Sequence, residues 1–223
     1  MRKLLILATI GVGLMFASPA KAHDPIILTS DQRTPADGPL LPDGTVSFAL
    51  YGTVEASGAT RGFRVRFVAG DTFTLSALLP DLPPEETLTA AEFPKVAVRS
   101  PGGEVTDLES GTVTTFDEPF TKTRYRRYLQ WSAPAEAGVY GVTVTGVVPA
   151  RFTVSVGVEE RFGSPVEDVP NRALGVGGVL SWYRTPPPTT TTTPSVASVE
   201  KTDSERTEAA EPDRKSTRLN SSH

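Results

Sequence analysis

Apolar and polar side chains alternate along most of the chain from Thr45 onward, with a period of two residues. In segments 46–50, 63–67 and 73–79, for example, every second residue is apolar. Such alternation places one face of a strand in a core and leaves the other face toward solvent. Similar segments recur at a spacing of about 8–12 residues, separated by turns that contain glycine or proline. The pattern therefore predicts roughly eight or nine strands within residues 45–157, and no helix.

Strands at this spacing predict an all-β fold, an antiparallel β-sandwich of the jelly-roll or immunoglobulin type. Its core is expected to consist of the inward-facing residues of the strands, with Trp131 and Tyr140 buried. The predicted core residues are Phe48, Phe63, Phe67, Phe73, Leu75, Val96, Val98, Leu129, Trp131, Tyr140, Val142, Val144, Phe152 and Val154. The segment Arg124–Tyr128 mixes cations with aromatic rings, and its arginines are expected to point outward and pair with nearby acids.

The first 22 residues have the parts of a secretory signal peptide. A positive start and an apolar run that ends at Phe16 are followed by Ala20-Lys21-Ala22, which supplies the small residues that signal peptidase reads. The apolar run is shorter than the roughly 20 residues that span a bilayer. Residues 1–22 are therefore expected to be removed on export, so that the mature chain begins at His23.

Two further segments flank the predicted sandwich. Residues 23–44 contain four prolines, and we expect an extended N-terminal segment with at most one short strand. Residues 158–184 are irregular in pattern until a late apolar cluster that includes Trp182 and Tyr183. Because aromatic residues are scarce in disordered segments, we expect this segment to pack on the sandwich.

The composition changes again after Arg184. Residues 185–212 contain three consecutive prolines, five consecutive threonines and then mostly polar and acidic residues, so they are expected to form a disordered stalk. Residues 213–223 resemble an in-frame translation of a common sequencing-library adapter, and a basic disordered tail is the alternative interpretation. We therefore expect the natural chain to diverge near Pro212 and to continue into a membrane anchor of about 20 apolar residues.

Charge and residue types exclude several classes of function. The formal net charge is −4, and it becomes −9 once residues 1–22 and 213–223 are set aside, because those ends hold six of the 22 bases and one of the 26 acids. Such a chain lacks the basic surface that nucleic acids or anionic membranes require. The absence of cysteine excludes thiol catalysis and cysteine-ligated zinc. His23 is the only histidine within residues 23–212. A Ser-His-Asp triad in this part of the chain would therefore have to use His23.

Four short motifs within residues 60–157 resemble those of bacterial pre-peptidase C-terminal domains. They are Ala69-Gly70-Asp71, Ser100-Pro101-Gly102-Gly103, Ala137-Gly138-Val139-Tyr140 and Arg151-Phe152-Thr153-Val154. The resemblance implies a calcium-tolerant jelly-roll module of an exported protein. Calcium would use acidic loops, such as the one that holds Asp81, Glu85 and Glu86. The wider stretch from Asp24 to Gly157 also looks like a group of uncharacterised exported proteins with a C-terminal stalk.

The start of the mature chain is similar to periplasmic copper-resistance sandwiches. The similarity consists of His23 at the new terminus, the motif Thr34-Pro35-Ala36-Asp37-Gly38, and an early Val46-Ser47-Phe48 strand. In that family the terminal amine and the first imidazole chelate copper together with further histidine or carboxylate ligands. The resemblance implies a copper site at His23 and Asp24, although no second histidine is present to complete it.

The sequence thus favours an exported, non-enzymatic accessory or binding module at the cell surface, with no catalytic residue and no required cofactor. Its partner would be a protein or a cell-envelope ligand, and any membrane contact would come from the missing anchor. A periplasmic or extracellular copper-binding protein that uses His23 is the alternative.

Overall fold

The alternating segments pair into two sheets that pack face to face. The structure is a computed structural model, and it describes residues 23–119 and 121–188. The predicted signal peptide, the adapter-like residues and most of the predicted stalk lie outside these ranges. In chain order the strands are β1 Asp24–Ile27, β2 Leu40–Leu41, β3 Phe48–Val54, β4 Thr60–Phe67, β5 Thr72–Pro80, β6 Lys95–Arg99, β7 Val105–Leu108, β8 Thr114–Glu118, β9 Thr123–Pro134, β10 Gly138–Thr145 and β11 Ala150–Val156.

The predicted all-β sandwich is confirmed. One sheet, sheet A, has the strand order β1-β3-β11-β5-β9-β8, and the other, sheet B, has the order β2-β4-β10-β6-β7. Three short 3₁₀ helices, Glu85–Thr87, Ala90–Glu92 and Arg172–Leu174, and the α-helix α1, Gly175–Arg184, complete the described elements. No helix among the described residues is long and apolar enough to cross a membrane.

The sheets are mixed, whereas the sequence pattern predicted antiparallel pairing throughout. Strand β1 runs parallel to β3, and β2 runs parallel to β4. Parallel neighbours need a crossover connection, since a hairpin reverses the chain direction. Residues 28–47 make that crossover: they leave sheet A, add β2 to sheet B, and return to sheet A as β3. Pro25 is accommodated in β1 because this strand is at a sheet edge.

The core lies between the sheets and contains the predicted residues, with one exception. Trp131 is only partly buried and packs against the edge of the core, which corrects the prediction that its side chain is buried. The residues after Leu129 in β9 are all partly or fully exposed, which puts this end of the strand at the periphery of the sandwich. The indole packs there edge-on against Phe73, with ring centroids 5.2 Å apart.

A β-bulge in β9 decides which of its side chains face the core. Ala77 of β5 lies opposite Leu129, but the next residue, Leu78, lies opposite Arg127, so Tyr128 has no partner in the ladder. A bulge of this kind reverses the alternation of faces along its strand. Tyr128 and Leu129 are therefore both in the core, whereas Tyr125 belongs to a second apolar cluster on the outer face of sheet A.

Helix α1 covers part of that outer face, although the sequence pattern predicted an irregular segment at residues 158–184. Its glycines at positions 177 and 178 give it low intrinsic helix propensity, so its stability must come from tertiary packing. Val179 and Trp182 are buried against the sheet. The Trp182 indole N–H also donates a 3.1 Å hydrogen bond to the Gly52 carbonyl of β3.

A buried ion pair joins β11 to the loop after β5 and to the end of α1. The Arg151 guanidinium donates to both carboxylate oxygens of Glu85, at 3.0 Å and 2.6 Å, and the two side chains are 2% and 0% exposed. Two further N–H groups donate to the carbonyls of Pro83 and Tyr183. The Arg151 backbone N–H also donates to Glu85, at 2.7 Å. Four of the five guanidinium N–H groups thus have an acceptor, and both carboxylate oxygens are hydrogen-bonded, as burial of the two charges requires.

Replacing Arg151 with Met keeps the aliphatic stem and leaves the Glu85 carboxylate buried without its partner. We expect the free energy of unfolding in urea to fall by about 3–5 kcal/mol. The double variant Arg151→Met with Glu85→Gln should regain part of this loss, because no unpaired charge remains.

Arg161→Met is the matched control, since Arg161 pairs with Asp43 and Glu159 at the surface and is 52% exposed. Loss of this exposed pairing should cost at most about 1 kcal/mol. Equal losses in Arg151→Met and Arg161→Met would show that the buried pair has no special importance.

Candidate functional site

The outer face of sheet A carries a cleft where α1 leaves the sheet uncovered. Its larger part, the main cavity, has a volume of about 340 Å³ and is bounded by β1, β3, the end of β8, the segment before α1 and α1 itself. A smaller space, the hollow, adjoins it over β5, β8, β9 and β11 and has a volume of about 30 Å³. The two spaces share three wall residues, namely His23, Tyr51 and Glu118.

The chain after β11 closes the main cavity. Gly157 begins this segment with φ of 71°, and a Cβ there would lie 2.1 Å from the Val46 carbonyl oxygen, so the turn requires glycine. The segment then follows the sandwich edge and returns over sheet A as α1. Phe162, which is 62% exposed, borders the cavity from this segment, and Val176 and Val179 border it from α1.

His23 lies against β3 at the boundary between the two spaces. Its Nδ1 atom is hydrogen-bonded to the Ser47 hydroxyl. Burial lowers the pKa of the His23 imidazole, and Arg127 lowers it further, while the carboxylates of Glu160 and Glu118 act in the opposite direction. The ring is therefore neutral near pH 7.

The pairing of Ser47 with His23 does not form an accessible nucleophile. Ser47 is only 3% exposed and does not border either space of the cleft. The hydrogen bond instead fixes the orientation of the imidazole.

Asp24, the other predicted metal ligand, is held by protein partners. Its carboxylate accepts hydrogen bonds from the Arg172 guanidinium and, at 3.0 Å, from the Gly163 N–H. Arg172 also donates to the Pro25 and Ser164 carbonyls. Asp24 thus connects β1 to the segment that precedes α1.

Both predicted ligands border the main cavity, but the described geometry does not assemble a metal site. Among the residues that the structure describes, no three His, Cys, Asp or Glu side chains converge on a possible ion position. His23 Nδ1 and the Asp24 carboxylate already have protein partners. Glu85, from the acidic loop considered for calcium, is buried with Arg151.

Sequence analysis did not identify three polar groups of residues that border the hollow. In the described part of the chain, the Tyr125 hydroxyl, Arg127 Nε and Thr153 Oγ1 are buried and have no hydrogen-bond partner. Tyr125 is 2% and Thr153 is 5% exposed. Tyr51 and Thr123 lie near enough to influence the Tyr125 hydroxyl, but neither bonds it with ordinary geometry.

The sequence offered one signal for this site, the cations and aromatic rings of segment 124–128. The expected outward pairing is found at Arg124, whose Nε lies 2.9 Å from the Asp117 carboxylate. Arg126 instead donates to the carbonyls of Glu85, Glu86 and Leu88. Arg127 lies over the Phe116 ring at 5.2 Å and borders the hollow. The bulge at Tyr128, which the pattern does not reveal, directs Tyr125 and Arg127 to the outer face.

The buried environment of His23 predicts a pKa below its ordinary value of 6.5. The folded protein then binds fewer protons than the unfolded chain as the pH falls past 6.5. The stabilisation from the neutral ring is fully present above that pH and is lost as the pH falls through the folded-state pKa. An NMR titration of the imidazole Cε1–H signal should give a midpoint below 6.5, with His223→Gln used to assign the signal. A midpoint at or above 6.5 would contradict the described burial.

The comparisons with known proteins show no family for this chain. No family model matches it, and neither does any curated protein sequence. Among solved structures, it is similar to the crystal structure of Aeromonas hydrophila PliG, a periplasmic lysozyme inhibitor of g-type lysozyme, with 17% sequence identity and a TM-score of 0.30. The similarity covers 59% of this chain and 98% of that chain. A TM-score this low supports neither a shared function nor a shared binding surface, and the resemblances described from the sequence stay predictions.

Proposed function

We propose that this protein is an exported, non-enzymatic binding module, displayed at the cell surface, and that the cleft on sheet A is its binding site. The observation that supports this proposal is the main cavity, which α1 and the segment before it leave open over the outer face of sheet A. Concave, mostly apolar pockets with a few polar groups are the usual form of a binding site.

The size and lining of the cleft suit a small molecule. A volume of about 340 Å³ is within the range of roughly 300–1,000 Å³ for ligand pockets. Pro25, Phe162, Val176 and Val179 supply apolar wall, and polar side chains border both the main cavity and the hollow. A cell-envelope component or a side group of a larger partner fits this arrangement.

The chemistry of the cleft favours binding over catalysis. Ser47 is inaccessible behind His23. Burial raises the pKa of Tyr51 and raises that of Tyr125 to about 12, so both phenols stay protonated near neutral pH. A protonated phenol can donate a hydrogen bond but is a poor nucleophile or base. The leader and the proline- and threonine-rich segment support export and surface display.

Filling the cleft should abolish binding without unfolding the protein. Val176 borders the main cavity from α1 and is partly exposed, so Val176→Trp can place its ring in the cavity. We expect ligand-observed NMR with a set of small aromatic and aliphatic compounds to identify mutually competing ligands of the unaltered protein. Val176→Trp should weaken their binding by at least about tenfold, which corresponds to 1.4 kcal/mol.

Val105→Trp is the matched control, because Val105 is 51% exposed on β7 of sheet B. It should bind the compounds as the unaltered protein does, and both variants should unfold at similar urea concentrations. The proposed binding site is wrong if no compound binds, or if Val176→Trp and Val105→Trp bind equally well.

Copper binding is the second proposal, and it is favoured by the position of His23 and Asp24 at one cavity. Both side chains already have protein partners, so we expect the processed chain that begins at His23 to bind Cu²⁺ more weakly than about 1 μM. Calorimetric titration of this chain and of its His23→Ala variant measures the contribution of the imidazole. A sub-micromolar Kd that His23→Ala abolishes would favour copper over the module proposed above.

A further inference from the structure

Strand β7 is an uncovered edge of sheet B. At the other edge of this sheet, Leu40 of β2 and Glu167 exchange two backbone hydrogen bonds, of 3.1 Å and 3.0 Å. At the edge of sheet A, the Arg172 guanidinium donates to the Pro25 carbonyl of β1. Among the described residues, no segment bonds the outer side of β7 in this way. Three of the four residues of β7 are exposed.

The ladder between β6 and β7 shows which backbone groups point away from the sheet. Next to the turn that joins the two strands, the Ser100 N–H donates to the Glu104 carbonyl at 2.8 Å. Hydrogen-bonded pairs recur at every second residue of an antiparallel ladder, so Thr106 bonds β6. The N–H and C=O groups of Val105 and Asp107 therefore point outward, and no described residue bonds them.

The residues of β7 do not block the addition of another strand. Protein sheets often protect an exposed edge with proline, lysine or a bulge, and β7 contains none of these. Val105 is 51% exposed, so apolar surface remains to be buried there. The edge strand β8 of sheet A differs in this respect, because its Phe116 is half-buried under the Arg127 guanidinium. An added strand is therefore expected at β7.

The sequence of β7 is complementary to itself. In an antiparallel pair of two β7 strands with Thr106 on the two-fold axis, each Asp107 lies opposite the second copy's Val105. Each Leu108 then lies opposite the second copy's Glu104. The outward groups of Val105 and Asp107 bond each other, and no like charges are opposite each other. A two-fold axis at Asp107 would instead place two carboxylates opposite each other.

The charges beside the edge favour the same register. Arg99 of β6 is exposed and lies opposite Val105 in the ladder of its own chain. Since Asp107 is opposite the second copy's Val105, Asp107 and the second copy's Arg99 lie in one row across the joined sheets. Strands in a sheet are about 4.8 Å apart, so about 10 Å separates the two Cα atoms, a distance that a long arginine side chain can span.

We infer that two copies of this chain associate antiparallel through β7, with Thr106 on the two-fold axis, and that their two B sheets form one continuous sheet. Strands of four residues give a small contact, as in transient interfaces, which bury less than about 1,200 Å². The dissociation constant is therefore expected to be of the order of 100 μM. The interface is on sheet B, so the function proposed for the cleft on sheet A does not depend on it.

Single cysteines report this register, because the chain has no cysteine of its own. Thr106 faces the second copy's Thr106 in a non-hydrogen-bonded pair, whose Cα atoms lie about 4.5 Å apart, within reach of a disulfide. Val105 is the matched control: it is also exposed, but the two Val105 residues are diagonal neighbours at about 7–8 Å. At 100 μM protein, Thr106→Cys should form a disulfide-linked dimer at least about tenfold faster than Val105→Cys, measured on non-reducing gels.

Sedimentation of the unaltered full chain at concentrations up to 1 mM measures the association without any cysteine. Val105→Pro removes an outward N–H that β6 does not use, so this variant should unfold in urea like the unaltered chain and dimerise at least about tenfold more weakly. The inference is overturned if the unaltered chain stays monomeric, or if the two cysteine variants cross-link at equal rates. Equal rates together with a dimer in sedimentation would show that the copies associate through another surface.

Discussion

The position of α1, and with it the shape of the cleft, depends on the buried Arg151 guanidinium. This side chain extends from β11, an interior strand of sheet A, and donates to both the Glu85 carboxylate and the carbonyl of Tyr183 near the end of α1. Burying two charges is tolerated only when their geometry and hydrogen bonds are nearly complete. The loop, the strand and the helix therefore have little freedom to move separately. Because α1 forms one wall of the main cavity, this constraint also defines the candidate site.

Both faces of sheet A are buried along β3. In most sandwiches, one face of each strand is exposed to solvent. The inner face of β3 contributes to the core, while Ala49 and Tyr51 on its outer face pack under Val179 and Trp182. The helix is too short to cover the whole face. The uncovered remainder keeps the apolar character of a buried surface and contains the polar groups of the cleft.

The polar groups at the cleft fall into two kinds. Asp24 and Arg172 satisfy each other and fix the segment before α1 to the edge of sheet A. The Tyr125 hydroxyl, Arg127 Nε and Thr153 Oγ1 have no hydrogen-bond partner of ordinary geometry among the described residues. Unpaired buried donors lower the stability of the fold.

The sequence by itself determined the sandwich and most of its core, because period-two alternation reports the two faces of a single strand wherever one face is buried. It also brought attention to His23 and to the arginines and tyrosines of segment 124–128. Only the tertiary structure decided which way Tyr125 and Arg127 face, because the bulge at Tyr128 exists only in the pairing of β9 with β5. The same holds for α1, whose glycine-containing sequence is stabilised by contacts with strands more than 50 residues away along the chain. A local sequence pattern does not contain the register between distant strands or the surface on which a helix packs. The cleft depends on the register of β9 with β5 and on the packing of α1.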